Sequence, residues 1–236
     1  MVRIVKDYDE RFTEFLNMAE SLFFSKGYEQ TSVQDIINGI GVAKGTFYHY
    51  FVSKVDVLDA VVKRNRERVL SAVTPIVEAK DLNPITKFER FFLEISNWKL
   101  LNHNIILRML RMLYQDENVL LRLKLFAETR KNVAAPLTHI IEQGRTEGLF
   151  HVQFAHETAE LILRMSEMPS NTFVAVLLNG QYDHHDIEAM KREIQVFNRS
   201  VERVLGVSEN TFEMIKAEDL FAWLSVLNEA PAGEKI

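Results

Sequence analysis

The sequence predicts an all-α protein, and three observations carry that prediction. Apolar residues recur at three- and four-residue steps, as in Val33, Ile36, Ile37 and Ile40, or Ile187, Met190, Ile194, Phe197, Val201 and Val204. That is the period of a helix with one buried face. Helix start and stop signals fall at the ends of such runs. No segment alternates apolar and polar residues as a half-buried strand requires, and no internal repeat or low-complexity segment stands out.

The first helix is predicted over about 7–26. Asp7 with Glu10 makes a capping-box-like start, Phe12, Phe15, Leu16, Ala19, Leu22 and Phe23 form its inner stripe, and Gly27 closes it. A second short helix starts at Thr31 or Ser32, either of which can cap. Gly39 and Gly41 supply a turn, and a third short helix carries Phe47 and Phe51 one turn apart. The fourth begins at Ser53, with Asp56 at the box position and Val55, Leu58 and Val62 inward, and runs to about Glu78. Pro75 inside it predicts a kink or an early end. Asn83-Pro84 starts a fifth helix to about Asn102, with Phe88, Phe91, Ile95, Trp98 and Asn102 on one stripe. His103-Asn104 breaks the pattern before an apolar sixth helix over 105–113. A loop follows from Tyr114 to Asn118, then a seventh helix over about 117–146, bent at Pro136. The eighth runs from about 154 towards 179, interrupted at Met168-Pro169, and the ninth spans about 185–206. A last helix near 216–228 carries Leu220, Trp223, Leu224 and Leu227, and the tail over 230–236 is expected to be disordered.

Composition bounds the function classes. With 236 residues, 47% hydrophobic and 26% charged, the chain can bury a core in one or two domains. It has no cysteine, which rules out disulfides, thiolate metal sites and cysteine nucleophiles. No run of 18 apolar residues and no signal-peptide pattern occurs, so the expected compartment is the cytoplasm, without a membrane partner. The net charge of −5 argues against a uniformly basic nucleic-acid binder. The first 60 residues hold 6 Lys and Arg against 9 Asp and Glu, and VVKRNRERVL over 61–70 restores that balance to zero. Any affinity for phosphate must come from local arrangement, for which Lys26, Lys44, Lys54 and the Lys63–Arg68 run are the candidates.

The stretch from Thr31 to Lys54, TSVQDIINGIGVAKGTFYHYFVSK, organises the chain. With Phe47 and Phe51 turned inward, Lys44, Gly45, Thr46, Tyr48 and His49 have no core to face. A short helix with a basic, a hydroxyl, an aromatic and an imidazole side chain outward suits a major groove. Gly45 lets its N-terminus approach a phosphate. The order TSVQDI...GVAKGTFYHYFVSK, preceded by GY..TS, resembles the DNA-binding signature of TetR-type transcriptional repressors over about residues 10–62. Beyond it only the helical pattern and the length are similar. The resemblance implies a homodimer whose third helix enters the major groove. Carried over by position, it places Ala43, Lys44, Gly45, Thr46, Tyr48 and His49 on DNA and Thr31, Ser32 and Lys54 on phosphates.

Other chemistry is poorly supplied. Of the seven histidines only His184 and His185 adjoin, and neighbours do not share a helix face; no HExxH pair exists. No metal or cofactor is expected. There is no glycine-rich phosphate loop and no GxSxG elbow, so no enzyme is expected either.

The expected domains are a helix-turn-helix domain over 1–54 and a helical effector-binding and dimerisation domain over 55–229. In the larger domain Met-rich and aromatic helices, bent by Pro75, Pro136 and Pro169, suit a small-molecule cavity. Trp98, Asn102, Met109, Met112, Phe126, Arg130 and Met165 are its candidates, with Arg130 facing either an internal carboxylate or a ligand acid. The seam from Ile187 through Met190, Ile194, Phe197 and Val201 to Val204, with Phe173, Val176 and Leu177 of the eighth helix, predicts a four-helix dimer interface. The expected function is a ligand-responsive regulator, usually a repressor, that binds palindromic double-stranded DNA as a homodimer and is released by a small, largely apolar effector. The competing reading is a helical scaffold or adaptor without sequence-specific DNA affinity.

Overall fold

The computed structural model describes residues 7–166, 172–176, 178, 182–214 and 221–225. Its helices are α1 (Tyr8–Lys26), α2 (Val33–Ile40), α3 (Lys44–Tyr50), α4 (Lys54–Glu78), α5 (Pro84–Leu101), α6 (His103–Leu113), α7 (Val119–Thr146), α8 (Ala155–Met165) and α9 (His184–Leu205). A 3-10 turn, Asp116–Asn118, precedes α7, and residues 172–176 and 221–225 are also helical. No strand occurs among the described residues. The predicted break at Met168-Pro169, Leu177 of the predicted seam, Leu220 and Leu227 of the last helix, and the tail over 230–236 lie outside the described residues.

Most boundaries follow from capping chemistry. Asp7 accepts from the Tyr8 N–H at 2.7 Å, and Asn83 Oδ1 from the Thr86 N–H at 2.9 Å with Pro84 opening α5. Asp183 and Asp186 close a reciprocal capping box on α9, which ends at Gly206 in the left-handed region. Pro75 and Pro136 sit inside α4 and α7, and neither ends its helix.

The chain divides into two compact units. The first holds the residues up to Arg68 together with Arg108–Arg122; the second holds Val69–Leu107 and the residues from Leu123 on. The dividing points fall inside α4, α6 and α7, whereas the sequence suggested a boundary between 54 and 55. A continuous helix carries no compositional mark where its packing partners change.

The first unit is built on Phe15, Leu16, Ala19 and Phe23 of α1, Ile36 and Ile37 of α2, Phe47 and Phe51, and Val57, Leu58 and Val61 of α4, all buried. The inner face of α4 is thus displaced from the predicted one: Val55 is exposed and Val62 half-buried. Asp56 accepts from the Val52 and Ser53 N–H groups at 2.9 and 3.0 Å, which closes the first turn of α4. Glu20, nearly buried on α1, joins Arg64 and Asn65 of α4, and Arg64 also reaches Asn17 Oδ1 at 2.8 Å. Burial pulls the Arg64 guanidinium below its ordinary value while Glu20 opposes it.

The second unit has one large core of Phe88, Phe91 and Phe92 on α5, Leu137, Ile140 and Ile141 on α7, Ala159 and Ile162 on α8, and Phe197, Val201 and Leu205 on α9. Lys87 is buried there. Its ammonium donates to Val77 C=O at 2.8 Å, at the last turn of α4, and to Gln143 Oε1 at 2.9 Å. A cation suits a helix C-terminus.

This core corrects the predicted dimer seam. Phe197 is 3% exposed, Val201 0% and Met190 2% within the single chain. Phe197 and Val201 lie in the main core, with Val204 packed against it; Met190 and Val176 form a second cluster with Leu224, flanked by Phe173 and Ile187. Ile194 is half-buried. The chain itself covers Met190, Phe197 and Val201, so these three serve the core of the single chain, while Ile187, Ile194 and Val204 stay half-buried.

Candidate nucleic-acid interface

The α2–turn–α3 geometry grows from local chemistry. Ser32 caps α2 by accepting from the Asp35 N–H at 3.1 Å, and Asp35 accepts in return from the Ser32 N–H at 2.7 Å and hydroxyl at 2.8 Å. Lys26 adds an ion pair to Asp35 at 2.8 Å. The Lys26 ammonium, followed by the Ser32 backbone and hydroxyl bonds, holds the Asp35 carboxyl well below the usual carboxylate range.

Three glycines then act in three ways. A Cβ on Gly39 would stand 2.5 Å from Met18 Sδ, so this glycine lets α2 lie close on α1. Gly41 ends α2 at φ 75°, a left-handed turn, and its N–H donates to Ile37 C=O at 3.0 Å. Gly45 is constrained by neither packing nor backbone. Its φ is not positive, and a Cβ there would meet nothing within 4 Å.

On α3, Phe47 is fully buried, and Phe51, which ends the helix, is 4% exposed. They anchor the helix against Phe15, at ring distances of 5.6 and 5.9 Å. Lys44, Gly45, Tyr48 and His49 are exposed, as is Ala43 at the N-cap, and Thr46 is half-buried. The Lys44 ammonium lies 5.9 Å from the Tyr48 ring centre, on the outer surface. His49 is bordered edge-on by the rings of Tyr8 at 6.2 Å and Tyr50 at 5.3 Å. Nothing in the sequence marked Tyr8 or Tyr50 as part of this surface.

The three residues expected on phosphates have other roles. Thr31 is 1% exposed, and its hydroxyl donates to Gly27 C=O at 2.7 Å, tying the end of α1 to the start of α2. Ser32 is exposed but closes the capping box. Lys54 directs its ammonium to Tyr28 C=O at 2.8 Å and Glu29 C=O at 3.3 Å, 4.2 Å from the Tyr28 ring centre. Burial pushes the Tyr28 phenol up. Other cations also have partners: Arg64 pairs with Glu20, Arg68 lies 4.0 Å from the same carboxylate, and Lys63 lies 3.9 Å from Glu67 in an exposed pair one turn apart.

Residues 15–61 match the family described as "Bacterial regulatory proteins, tetR family", and residues 107–177 match "Tetracyclin repressor-like, C-terminal domain". The chain belongs to the TetR family of transcriptional regulators. Among TetR-family relatives, the HTH-type transcriptional repressor KstR2 of Mycobacterium tuberculosis is 25% identical over 154 residues, 64% of this chain and 74% of that one. The HTH-type transcriptional regulator UidR of Escherichia coli is 30% identical over 66 residues, 28% of this chain and 34% of its own length. Among solved structures, the fatty acid degradation regulator FadR of Bacillus halodurans superimposes with a TM-score of 0.59 at 22% identity, covering 81% of this chain and 96% of that one. Salmonella enterica GusR gives 0.58 at 14% identity, covering 86% and 100%. At such identities the structural likeness speaks for the fold.

The expected effector residues are distributed over the TetR-type chain as follows. Trp98, Phe126, Arg130 and Met165 are half-buried in the second unit, with Met165 packed against its core. Asn102 follows the last turn of α5, and its side-chain amide donates to Trp98 C=O at 2.8 Å. The helix end thus accounts for a polar residue on the apolar stripe. Arg130, expected to face an internal carboxylate or a ligand acid, is half-buried in the first half of α7, which buries no side chain before Val133 among the described residues. Met109 and Met112 belong to the first unit, where Met112 is buried and its carbonyl accepts from Asn118 Nδ2 at 2.9 Å. A groove of about 630 Å³ lies along α1 and the α2–α3 turn, and none of the expected effector residues lines it. No described helix is long and apolar enough to cross a membrane, and no described group of three His, Asp or Glu could hold a metal.

Proposed function

We propose that this TetR-family chain is a ligand-responsive repressor that binds a palindromic DNA operator as a homodimer, with α3 in the major groove. The observation that carries the reading is the outer face of α3. Phe47 is buried while Lys44, Tyr48 and His49 point outward, and Gly45 is kept free of a side chain that no neighbour forbids. Ala43, Lys44, Gly45, Thr46, Tyr48 and His49 form the reading surface in this proposal. Ser32, Thr31 and Lys54 position it. Repression as the sense of control is supported by the Mycobacterium tuberculosis relative, a repressor by name. A two-fold dimer on a palindrome requires its two α3 helices roughly 34–36 Å apart, or a multiple of that.

The exposed apolar residues of α8 and α9, Leu161 and Val196, support a homodimer through these helices. Trp98, Phe126, Arg130 and Met165 remain the proposed effector contacts of the second unit, a mostly apolar wall with one cation. Effector and operator would favour different conformations of the dimer, so each weakens the other's binding.

Selection of bound fragments from random double-stranded DNA tests the function and yields the operator. The Tyr48→Ala, His49→Ala double variant should keep its fold and lose the selected site by about 30-fold or more, since each of the two base contacts contributes roughly 1–3 kcal/mol. Unchanged binding by that variant removes α3 from the interface, and a wild-type chain that selects no sequence returns the scaffold reading.

A further inference from the structure

Helix α3 is only seven residues long and has no side-chain cap at its N-terminus. Its position is set by Phe47 and Phe51, both on the inner side. An outward imidazole on such a helix would ordinarily sample several staggered rotamers. His49 does not stand alone, however. The Tyr8 ring approaches it edge-on, at 6.2 Å and an interplanar angle of 77°, while Tyr50 borders it at 5.3 Å and 89°. Edge-to-face contact at these distances is a favoured arrangement of aromatic rings.

Tyr8 is itself held. It opens α1, its N–H is bound by the Asp7 carboxylate at 2.7 Å, and its ring lies 4.6 Å from Tyr50 and 6.2 Å from Phe12. Phe12 in turn stacks on buried Phe51 at 5.2 Å. A chain of rings therefore leads from the core to the outer surface and ends against His49. Tyr8 is still half exposed at 50%, so burial alone does not account for an aromatic there.

We propose that Tyr8 is a positioning residue for sequence reading: its ring confines His49 to the rotamer that meets one base edge in each half-site. The inference rests on the assignment of α3 as the reading helix and extends it to a residue outside the helix-turn-helix. The ring supplies the effect, not the phenol hydroxyl. Restricting one side chain before binding removes part of the ordering cost of association. It changes discrimination at the base that His49 meets and leaves the phosphate contacts alone.

The test is competition binding of the full-length protein to a panel of operators, each with one base pair changed. It compares wild type with Tyr8→Phe, Tyr8→Ala, Tyr8→Leu, His49→Ala, Tyr48→Ala and the double variant Tyr8→Ala, His49→Ala. His49→Ala should erase the preference at one base pair per half-site. Tyr8→Ala and Tyr8→Leu should weaken that same preference by about three- to tenfold, with non-specific affinity and salt dependence unchanged. Tyr8→Leu keeps apolar cover on Phe12 and Tyr50, and so guards against a loss of fold in the alanine variant. Tyr8→Phe should behave as wild type, and Tyr8→Ala should add nothing once His49 is gone. An equal loss on every sequence, a Tyr8→Phe as weak as Tyr8→Ala, or additive effects of the two alanine changes overturns the proposal. If His49→Ala alters no base preference while Tyr48→Ala does, the Tyr8 proposal fails and the α3 assignment survives. If neither does, both fail.

Discussion

Phe197→Ala separates a core residue from an interface residue, because its neighbour Val196 provides the control. The Phe197 side chain is 3% exposed in the single chain, sits in the main core of the second unit and faces Phe92 edge-on at 6.1 Å. Val196, one residue earlier on α9, is 59% exposed. Removing a buried phenylalanine ring costs about 3–5 kcal/mol, transfer and cavity terms together. That is a large part of a stability of about 5–15 kcal/mol. For a chain of this size each kcal/mol lowers Tm by about 2–4 °C, so a fall of about 6–20 °C is expected. Val196→Glu should change stability by no more than about 0.5 kcal/mol, as surface substitutions do, and weaken a homodimer formed through the outer face of α9. Thermal melts at two protein concentrations, with sedimentation below the melting range, read both effects. A Phe197→Ala protein that melts like wild type but sediments as a monomer would place Phe197 between subunits and refute its assignment to the core.

Gly45→Ala should stabilise α3 by about 0.5–1 kcal/mol, since nothing obstructs a Cβ there, while lowering operator affinity if DNA is what the bare backbone accommodates; a variant both stabler and equally tight-binding would contradict that use. Lys54→Ala should cost about 1–3 kcal/mol of stability through the lost bonds to Tyr28 and Glu29 carbonyls, and should leave the salt slope of DNA binding unchanged. A slope reduced by about one at unchanged Tm would return Lys54 to the phosphates. The Asp35 carboxyl is held below its ordinary value, so its stabilising effect is complete above about pH 4 and is lost as pH falls through the depressed value. The urea midpoint of wild type should exceed that of Asp35→Asn at pH 7 and converge on it in acid; a constant gap from pH 7 to pH 2 would exclude the linkage.

What could be read in the sequence was whatever local chemistry decides. Asp7, Ser32 and Asn83 start helices because their side chains accept from N–H groups within three residues, and such partners are visible in a string of letters. The inner faces of α1 and α5 followed from period alone. The phase of α4 did not, because Val55, Leu58 and Val62 fit the same three-four period as the buried Val57, Leu58 and Val61, and period alone does not choose between overlapping faces. The predicted seam on α9 has a more general ambiguity. A three-four repeat records that a helix face is covered, and the same repeat results whether the cover comes from its own chain or from a second copy. Phe197 and Val201 are covered by their own chain.

The candidate interface divides in the same way. Which side chains on α3 point outward was legible, because burying Phe47 leaves Tyr48 and His49 no other direction. Which cations remain for DNA was not, because that depends on partners far along the chain. Lys54 meets carbonyls about 25 residues upstream, and Arg64 meets Glu20 across 44. These internal ties bear on the charge problem that the sequence raised. Residues 1–70, whose formal charge balances to zero, need not form a weak surface if their basic groups brace the helix-turn-helix instead of attracting phosphate. Such a design would lower non-specific affinity, which is almost wholly electrostatic, more than specific affinity, which also draws on base contacts. The ratio between the two, not the bare affinity, decides whether a regulator finds its site among many competing ones.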